Sequence, residues 1–167
     1  MLESLTIRNF AIIDELTVVF TQGLTVITGE TGAGKSIIVD ALELALGSRS
    51  SVEMIRAGAD SLSVTGVFTL ESPLEGEETP LEEGEGIIIL RREIRADGTG
   101  RCYINDRPAT LRALKALGDR LVDLHGQHDH QSLLEASGHI LFLDGFGKLV
   151  PLAREVAELY EAYTAEM

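Results

Sequence analysis

The chain has 167 residues, the length of one domain and enough to bury about two-thirds of the surface that the unfolded chain exposes. Hydrophobic residues make up 44% of it, yet no apolar run approaches the roughly 20 residues that span a bilayer, and the opening lacks the layout of a signal peptide. The single cysteine, Cys102, excludes an internal disulfide framework and a CxxC zinc site. We therefore expect a soluble, cytoplasmic protein.

The net charge of −13 argues against a surface built mainly for nucleic-acid binding, but the charge is unevenly distributed. Residues 71–85 contain seven glutamates and no basic residue, whereas residues 91–120 contain eight Arg or Lys against four Asp or Glu. The first segment also contains prolines and glycines, which predicts a solvated acidic loop. The second segment is the basic part of the chain.

The first predicted elements are three strands. LESLTIRNF and DELTVVF alternate apolar and polar residues, and LTVITG is a mostly apolar run that ends at a glycine. From Lys35 the apolar residues recur at helical spacing until Gly47, which predicts an amphipathic helix directly after a glycine-rich loop. SLSVTGVFTL, residues 61–70, predicts a further strand.

The second half begins with IIILRREIRADGTGRCYIND, which predicts two strands joined in a hairpin at Asp97-Gly98. Thr110 is expected to cap a helix that ends at Gly118, and DRLVDLHG to form the next strand. Ser137 is expected to cap a helix through HILFLDGF. From residue 150 to the last residue the apolar spacing is again helical and carries no stop signal.

The stretch GETGAGKS, residues 29–36, matches the pattern G-x-x-x-x-G-K-[ST] between the predicted strand and helix. Its glycines let backbone N–H groups converge on an anion, and the helix N-terminus adds partial positive charge. Lys35 is expected to reach the β- and γ-phosphates and Ser36 to ligate Mg²⁺. The predicted nucleotide-contacting residues of this loop are Gly29, Glu30, Thr31, Gly32, Ala33, Gly34, Lys35, Ser36 and Ile37.

Two further patterns bear on the class of nucleotide-binding protein. Residues 144–147 spell the DxxG of a GTPase switch, but far downstream of the loop and without an NKxD base-recognition motif. Residues 140–144, ILFLD, have the form of a Walker B strand. However, Gly145 stands where ABC-type ATPases place a glutamate, and Ser137-Gly138-His139 is more typical of a helix start. We interpret both matches as accidental.

Two longer stretches resemble a known family. The opening from LESLTIRNF to LGSRS resembles the N-terminal head segment of SMC-like, ABC-type ATPases, and LVDLHGQHDHQSLL, residues 121–134, narrows the resemblance to the RecN family of bacterial DNA repair proteins. The resemblance implies an α/β P-loop NTPase head of ABC/SMC type, with a mixed sheet and an antiparallel β-subdomain, incomplete without its C-terminal half. It implies an N-terminal lobe over residues 1–149 and the start of a coiled-coil arm over residues 150–167.

The resemblance also implies an activity and partners. The head would bind ATP and Mg²⁺, pair with the C-terminal half of its own head, and dimerise with a second head around ATP. It would act on double-stranded DNA and DNA ends in double-strand break repair and recombination, with a nucleoid-associated location and no membrane partner. The family's LSGG signature, Walker B Asp-Glu and switch histidine lie in its C-terminal half, so we expect these 167 residues alone to be inactive in ATP hydrolysis.

The family's residue roles fall on positions outside the phosphate loop as well. Gln127 resembles the Q-loop glutamine, which ligates Mg²⁺ and helps position the attacking water, so it joins Lys35 as a catalytic candidate. Arg8 and Asn9 end the first strand, a region that lies near the adenine and ribose in similar heads. Arg56, or alternatively Arg49, resembles the arginine that SMC-type heads place near the phosphates at the dimer interface.

Several residues keep open alternatives. His125, His128 and His130 surround Gln127, where a metal site competes with loop packing or hydrogen bonding to the glutamine; their spacing is not that of a helical H-x-x-x-H site. The arginines of the predicted hairpin either contact DNA phosphates or form an ordinary solvated face; they are Arg91, Arg92, Arg95, Arg101 and Arg107.

Two other functions also stay open at the level of the sequence. A self-contained P-loop kinase or GTPase switch would use the arginines at 91, 92 and 95 as a lid over the transferred phosphate. A non-catalytic DNA-binding module would bind DNA independently of Lys35 and with strong salt dependence.

Overall fold

A computed structural model describes residues 1–29, 34–70, 86–124 and 139–165, which fall into two units, 1–122 and 123–167. The predicted acidic loop, the HGQHDHQ element and Ser137 lie outside the described residues. The strands of the first unit are β1 (Leu2–Phe10), β2 (Ile13–Val19), β3 (Ser61–Thr69), β4 (Ile87–Arg95), β5 (Gly100–Ile104) and β6 (Arg107–Ala109); its helices are α1 (Lys35–Ala45) and α2 (Leu111–Leu121), with a short 3-10 helix over Val52–Met54.

The strands form one sheet in the order β2-β1-β3-β4-β5-β6. Leu5 pairs with Val18 of β2 and Gly66 of β3, and Val64 pairs with Arg92 of β4. Every strand pair in the described ranges is antiparallel, so the parallel strands implied for a mixed sheet do not occur among these residues. The α/β class, the antiparallel β-subdomain and the hairpin after Arg95 are confirmed.

The core lies between one face of this sheet and α1. Alternate residues of the strands point to that face because side chains alternate along a strand, and the helix adds its own apolar side. The cluster is fully or almost fully buried and consists of Leu5, Ile7, Phe10, Ala41, Leu44, Ala45, Leu62, Val64 and Ile94. The helix predicted from Lys35 is confirmed, and Gly47 follows its end with a φ of 100°.

The strand predicted over LTVITG is wrong for the structure as described. Residues 21–29 have no regular secondary structure and every one of them is exposed. Leu24 is 91% exposed and Val26 69% exposed. Strand conformation requires hydrogen-bonded neighbours, and no strand of the described sheet pairs with this segment.

The end of α2 also differs from the sequence prediction. Thr110 caps the helix as expected, since its hydroxyl accepts a hydrogen bond from the Ala113 N–H. The helix does not stop at Gly118 but continues to Leu121, so the predicted strand over DRLVDLHG is wrong in its described part. Gly118 serves a different purpose: a Cβ there would lie 2.5 Å from the Leu46 carbonyl oxygen, so only glycine lets α2 approach the end of α1 this closely.

The second unit contains α3 (His139–Gly147) and α4 (Val150–Ala165). Residues 140–144 are therefore helical, in agreement with the interpretation that they are not a Walker B strand. The helix predicted from residue 150 is confirmed, and all of its described residues are exposed. None of the helices in the described ranges is long and apolar enough to cross a membrane.

Candidate nucleotide-binding site

The two ends of the phosphate loop are described, whereas its residues 30–33 lie outside the described part of the chain. Gly34 caps α1 in the left-handed region, with a φ of 89°. This conformation disfavours any residue with a Cβ, which explains the second glycine of the motif. The Lys35 ammonium group donates a hydrogen bond to the carbonyl oxygen of Gly29. The lysine side chain therefore reaches Gly29, the first residue of the motif.

The N-terminus of α1 has the character of an anion site. Its N-cap residue, Gly34, offers no side-chain cap, and its first turn contains no acidic residue. The partial positive charge of the helix end is therefore not neutralised from within the helix. Ser36, at the second helical position, is exposed. This set of donors, with the Lys35 ammonium and the Ser36 hydroxyl, fits a phosphate group with its magnesium ion.

The turn between β1 and β2 lies beside this helix end. Asn9 and Ala11 both adopt positive φ, 53° and 50°. The Arg56 backbone N–H donates to the Asn9 carbonyl at 2.9 Å, and the Arg56 guanidinium donates to the Ile12 carbonyl at 2.9 Å. Arg56 thus holds the strained turn by its backbone and its side chain together.

Ile12 is a residue of this site that the sequence prediction missed. Its Cδ1 lies 3.9 Å from the position that a Cβ on Gly34 would occupy, yet the side chain is 66% exposed. An apolar side chain beside the phosphate loop offers a surface for the flat, apolar part of a nucleotide. The available signal was an isoleucine within the turn between two predicted strands.

The other predicted site residues divide into three groups. No contact among the described residues joins Arg8 to the phosphate loop. Its guanidinium pairs instead with Glu15 across β1 and β2 at 2.8 Å, and both side chains are exposed. Arg49 is exposed near the end of α1. Gln127 and the three histidines lie outside the described residues. Within the described ranges, no cluster of His, Cys, Asp and Glu could hold a metal ion.

The hairpin arginines do not form one surface. Arg91 stacks on the Tyr103 ring at 4.2 Å and pairs with Glu93 and Asp106, each at 3.3 Å. Arg92 points to the opposite face of the same strand and is only 5% exposed. Strands β4, β5 and β6 therefore do not present a single face of five arginines to DNA.

Comparison with known proteins gives the class of the chain. A family model for an AAA domain matches residues 4–107, which hold the phosphate-loop ends, α1 and the sheet as far as the first residue of β6. The chain belongs to the AAA domain family.

Curated relatives narrow the resemblance. The DNA repair protein RecN of Halalkalibacterium halodurans is 45% identical over 171 residues, covering 99% of this chain and 30% of that protein. RecN of Bacillus subtilis is 47% identical over 150 residues, covering 87% of this chain and 26% of that protein. The resemblance to RecN is confirmed, and the chain spans less than a third of these relatives' length.

Solved structures support the same fold. A structure from a study of ATP-driven dimerisation and DNA-stimulated activation of SMC ATPases has a TM-score of 0.62 at 24% identity, covering 93% of this chain and 95% of that chain. The Smc head domain with a coiled coil and joint from Pyrococcus yayanosii has a TM-score of 0.64 at 25% identity, covering 75% of this chain and 28% of that chain. The fold class predicted from the sequence, an SMC-type head, is confirmed.

Proposed function

We propose that this chain is the N-terminal half of the ATP-binding head of an SMC-like DNA repair ATPase. The observation that carries the proposal is the N-terminus of α1, which has no acidic residue in its first turn, with left-handed Gly34 before it and the Lys35 ammonium bonded to the Gly29 carbonyl. The AAA-domain match and the likeness to RecN support ATP as the nucleotide and DNA repair as the process.

In this proposal the chain's own residues bind and orient ATP. The loop of residues 29–37 donates backbone N–H groups to the phosphates, and Lys35 neutralises charge on the β- and γ-phosphates. The Ser36 hydroxyl and the Gln127 amide oxygen would hold Mg²⁺, which screens phosphate charge when bound. Asn9 and Arg8 are proposed near the adenine and ribose, with Ile12 beside them.

The exposed lead-in to the loop supports an incomplete head. Leu24, Val26 and Ile27 are apolar yet 91%, 69% and 41% exposed. Burying such side chains stabilises a protein by about 1.5 to 3 kcal/mol each, so a strand partner that covers this segment would stabilise it. We propose that the C-terminal half of the same head supplies it, and that this half completes the machinery for hydrolysis.

Helix α4 also exposes a row of apolar side chains. Leu152, Val156, Leu159 and Tyr163 recur at coiled-coil spacing and are 55% to 65% exposed, which favours the start of a coiled-coil arm at residue 150. Two such heads are proposed to close around ATP, with Arg56 or Arg49 near the phosphates of the interface, and to act on double-stranded DNA and its ends in the nucleoid.

The test is substitution of Lys35 in the full-length protein. Lys35→Ala is expected to lower ATPase activity at least about a hundredfold, because it removes the positive charge that stabilises the γ-phosphate during its transfer. The matched control is Lys115→Ala, a half-exposed lysine of α2 paired weakly with Asp119, which should leave activity unchanged. ATPase activity that survives Lys35→Ala would overturn the nucleotide site proposed for this loop.

A further inference from the structure

A second cationic site lies on the first unit, apart from the phosphate loop. It is centred on Arg92, whose side chain points to the buried face of β4 between Leu90 and Ile94. The Arg92 guanidinium donates one hydrogen bond, from Nη1 to Cys102 Sγ, while its Nε is buried without a hydrogen-bond partner. Within the residues that the structure describes, no carboxylate pairs with it.

This arrangement is costly unless something neutralises the charge. Removing a cation from water costs several kcal/mol, and a thiol is a weak acceptor that carries no charge when protonated. The neighbouring Arg91 also has a buried Nε without a hydrogen-bond partner, but Glu93 and Asp106 serve as its counter-charges. Two adjacent arginines of one strand therefore differ in that only Arg91 has an acidic partner among the described residues.

Arg92 lines a cleft of about 620 Å³ together with Ser50, Cys102, Thr110 and Leu111. Thr110 and Leu111 are the N-cap and the first residue of α2, which has no acidic residue in its first turn. The positive end of this eleven-residue helix therefore faces the same cleft as the buried guanidinium. Gly100 covers the arginine closely, since a Cβ there would lie 3.3 Å from Arg92 Nη2.

We infer that this cleft binds a phosphate-type oxyanion, with the Arg92 guanidinium as its counter-charge. The first backbone N–H groups of α2 and the hydroxyls of Ser50 and Thr110 supply neutral donors. Both the helix end and the arginine favour an anion, and a planar guanidinium can donate two parallel hydrogen bonds to it. The site does not depend on nucleotide binding at residues 29–36.

Cys102 makes the site measurable, because its thiol accepts a hydrogen bond from Arg92. The experiment alkylates the full-length protein with neutral iodoacetamide and follows the Cys102 peptide by mass spectrometry. Inorganic phosphate at about ten times its Kd should slow alkylation about tenfold, because the occupied fraction of the cleft is protected by mass action. Sodium chloride at the same ionic strength should give no protection.

Variants separate this site from the phosphate loop. Protection should persist in Lys35→Ala, in the matched control Arg91→Gln and in the charge-preserving Arg92→Lys, and it should disappear in Arg92→Gln. Thermal unfolding in the Lys35→Ala background gives a second readout: phosphate should raise the Tm only when residue 92 is cationic.

Three results would overturn the inference: equal alkylation in phosphate and chloride, protection that survives Arg92→Gln, or protection that is lost with Lys35→Ala. Duplex DNA at a matched concentration of phosphate groups is the final arm. Protection by DNA as well as by inorganic phosphate assigns the site to a backbone phosphate, and protection by inorganic phosphate alone assigns it to a small ion.

Discussion

Strand β3 and the segment over residues 21–29 have similar apolar content, but only β3 is paired and buried. Val64 of β3 is completely buried between two paired strands, whereas Val26 is 69% exposed and has no strand partner in the described sheet. An apolar run therefore becomes a strand only where neighbouring backbone is present to pair with it. Among the described residues, the strands of the antiparallel sheet find their partners, and the approach to the phosphate loop does not.

The largest effect expected from this comparison is on stability. Val64→Ala should lower the free energy of unfolding of this chain by about 2 kcal/mol, because it removes buried methyl groups and leaves a cavity. Val26→Ala, the same change at an exposed site, should cost less than about 0.5 kcal/mol. Urea unfolding followed by circular dichroism measures both. Equal losses would show that residues 21–29 are packed in solution.

A second pair of substitutions tests close packing at the helices. Gly118→Ala should destabilise the chain by roughly 1 to 3 kcal/mol, because the new methyl group meets the Leu46 carbonyl. Gly145→Ala in α3 meets nothing within 4 Å and should stabilise that helix by roughly 1 kcal/mol through helix propensity. Thermal unfolding of Gly118→Ala and amide exchange within α3 provide the readouts. A neutral Gly118→Ala would contradict the contact between α2 and the end of α1.

A smaller effect is expected at the start of α2. Thr110→Ala should cost about 1 kcal/mol, since the Ala113 N–H loses its side-chain acceptor. Thr110→Ser keeps the hydroxyl and should retain most of the stability in the same urea titration. If serine and alanine behave alike, the cap does not contribute.

The smallest effect concerns the β4–β5 turn. Hydrogen bonds from the Thr99 hydroxyl and backbone N–H lower the pKa of Asp97 below its usual 3.8. Because the folded-state pKa is depressed, the stabilisation is present above the unfolded value and is lost as the pH falls through the folded value. The difference in Tm between the native chain and Asp97→Asn should therefore shrink on acidification in this range. A Tm difference that does not change with pH would contradict the lowered pKa of Asp97.

The sequence predicted elements well wherever local pattern and tertiary partner agree. The alternation of β1 and β3, the turn at Asp97 and the cap at Thr110 carry their information locally, and the structure has all of them. The prediction of a strand over LTVITG was wrong because its apolar pattern is local, whereas strand pairing depends on backbone elsewhere in the fold. Gly118 was interpreted as a helix stop because sequence spacing cannot reveal the Leu46 backbone beside it.

In the candidate site, too, the local motif was predictable from the sequence and the tertiary contacts were not. The motif at residues 29–36 predicted the helix that begins at Lys35 and a role for this lysine at the phosphates, but not the hydrogen bond from its ammonium group to the Gly29 carbonyl. It could not predict that Ile12 would lie beside Gly34, since that contact depends on how a strained turn packs on a helix. The burial of Arg92 was equally hidden, because two adjacent arginines in a hairpin look alike until the faces of the sheet are known.

The central claim, that this chain is half of an ATPase head, is tested most directly by reconstitution. ATP hydrolysis is measured for this chain alone, for the C-terminal part of the same gene product alone, and for the two mixed. We expect hydrolysis only in the mixture and its loss when the chain carries Lys35→Ala. Full activity of the chain alone, or a preference for GTP over ATP, would contradict the account.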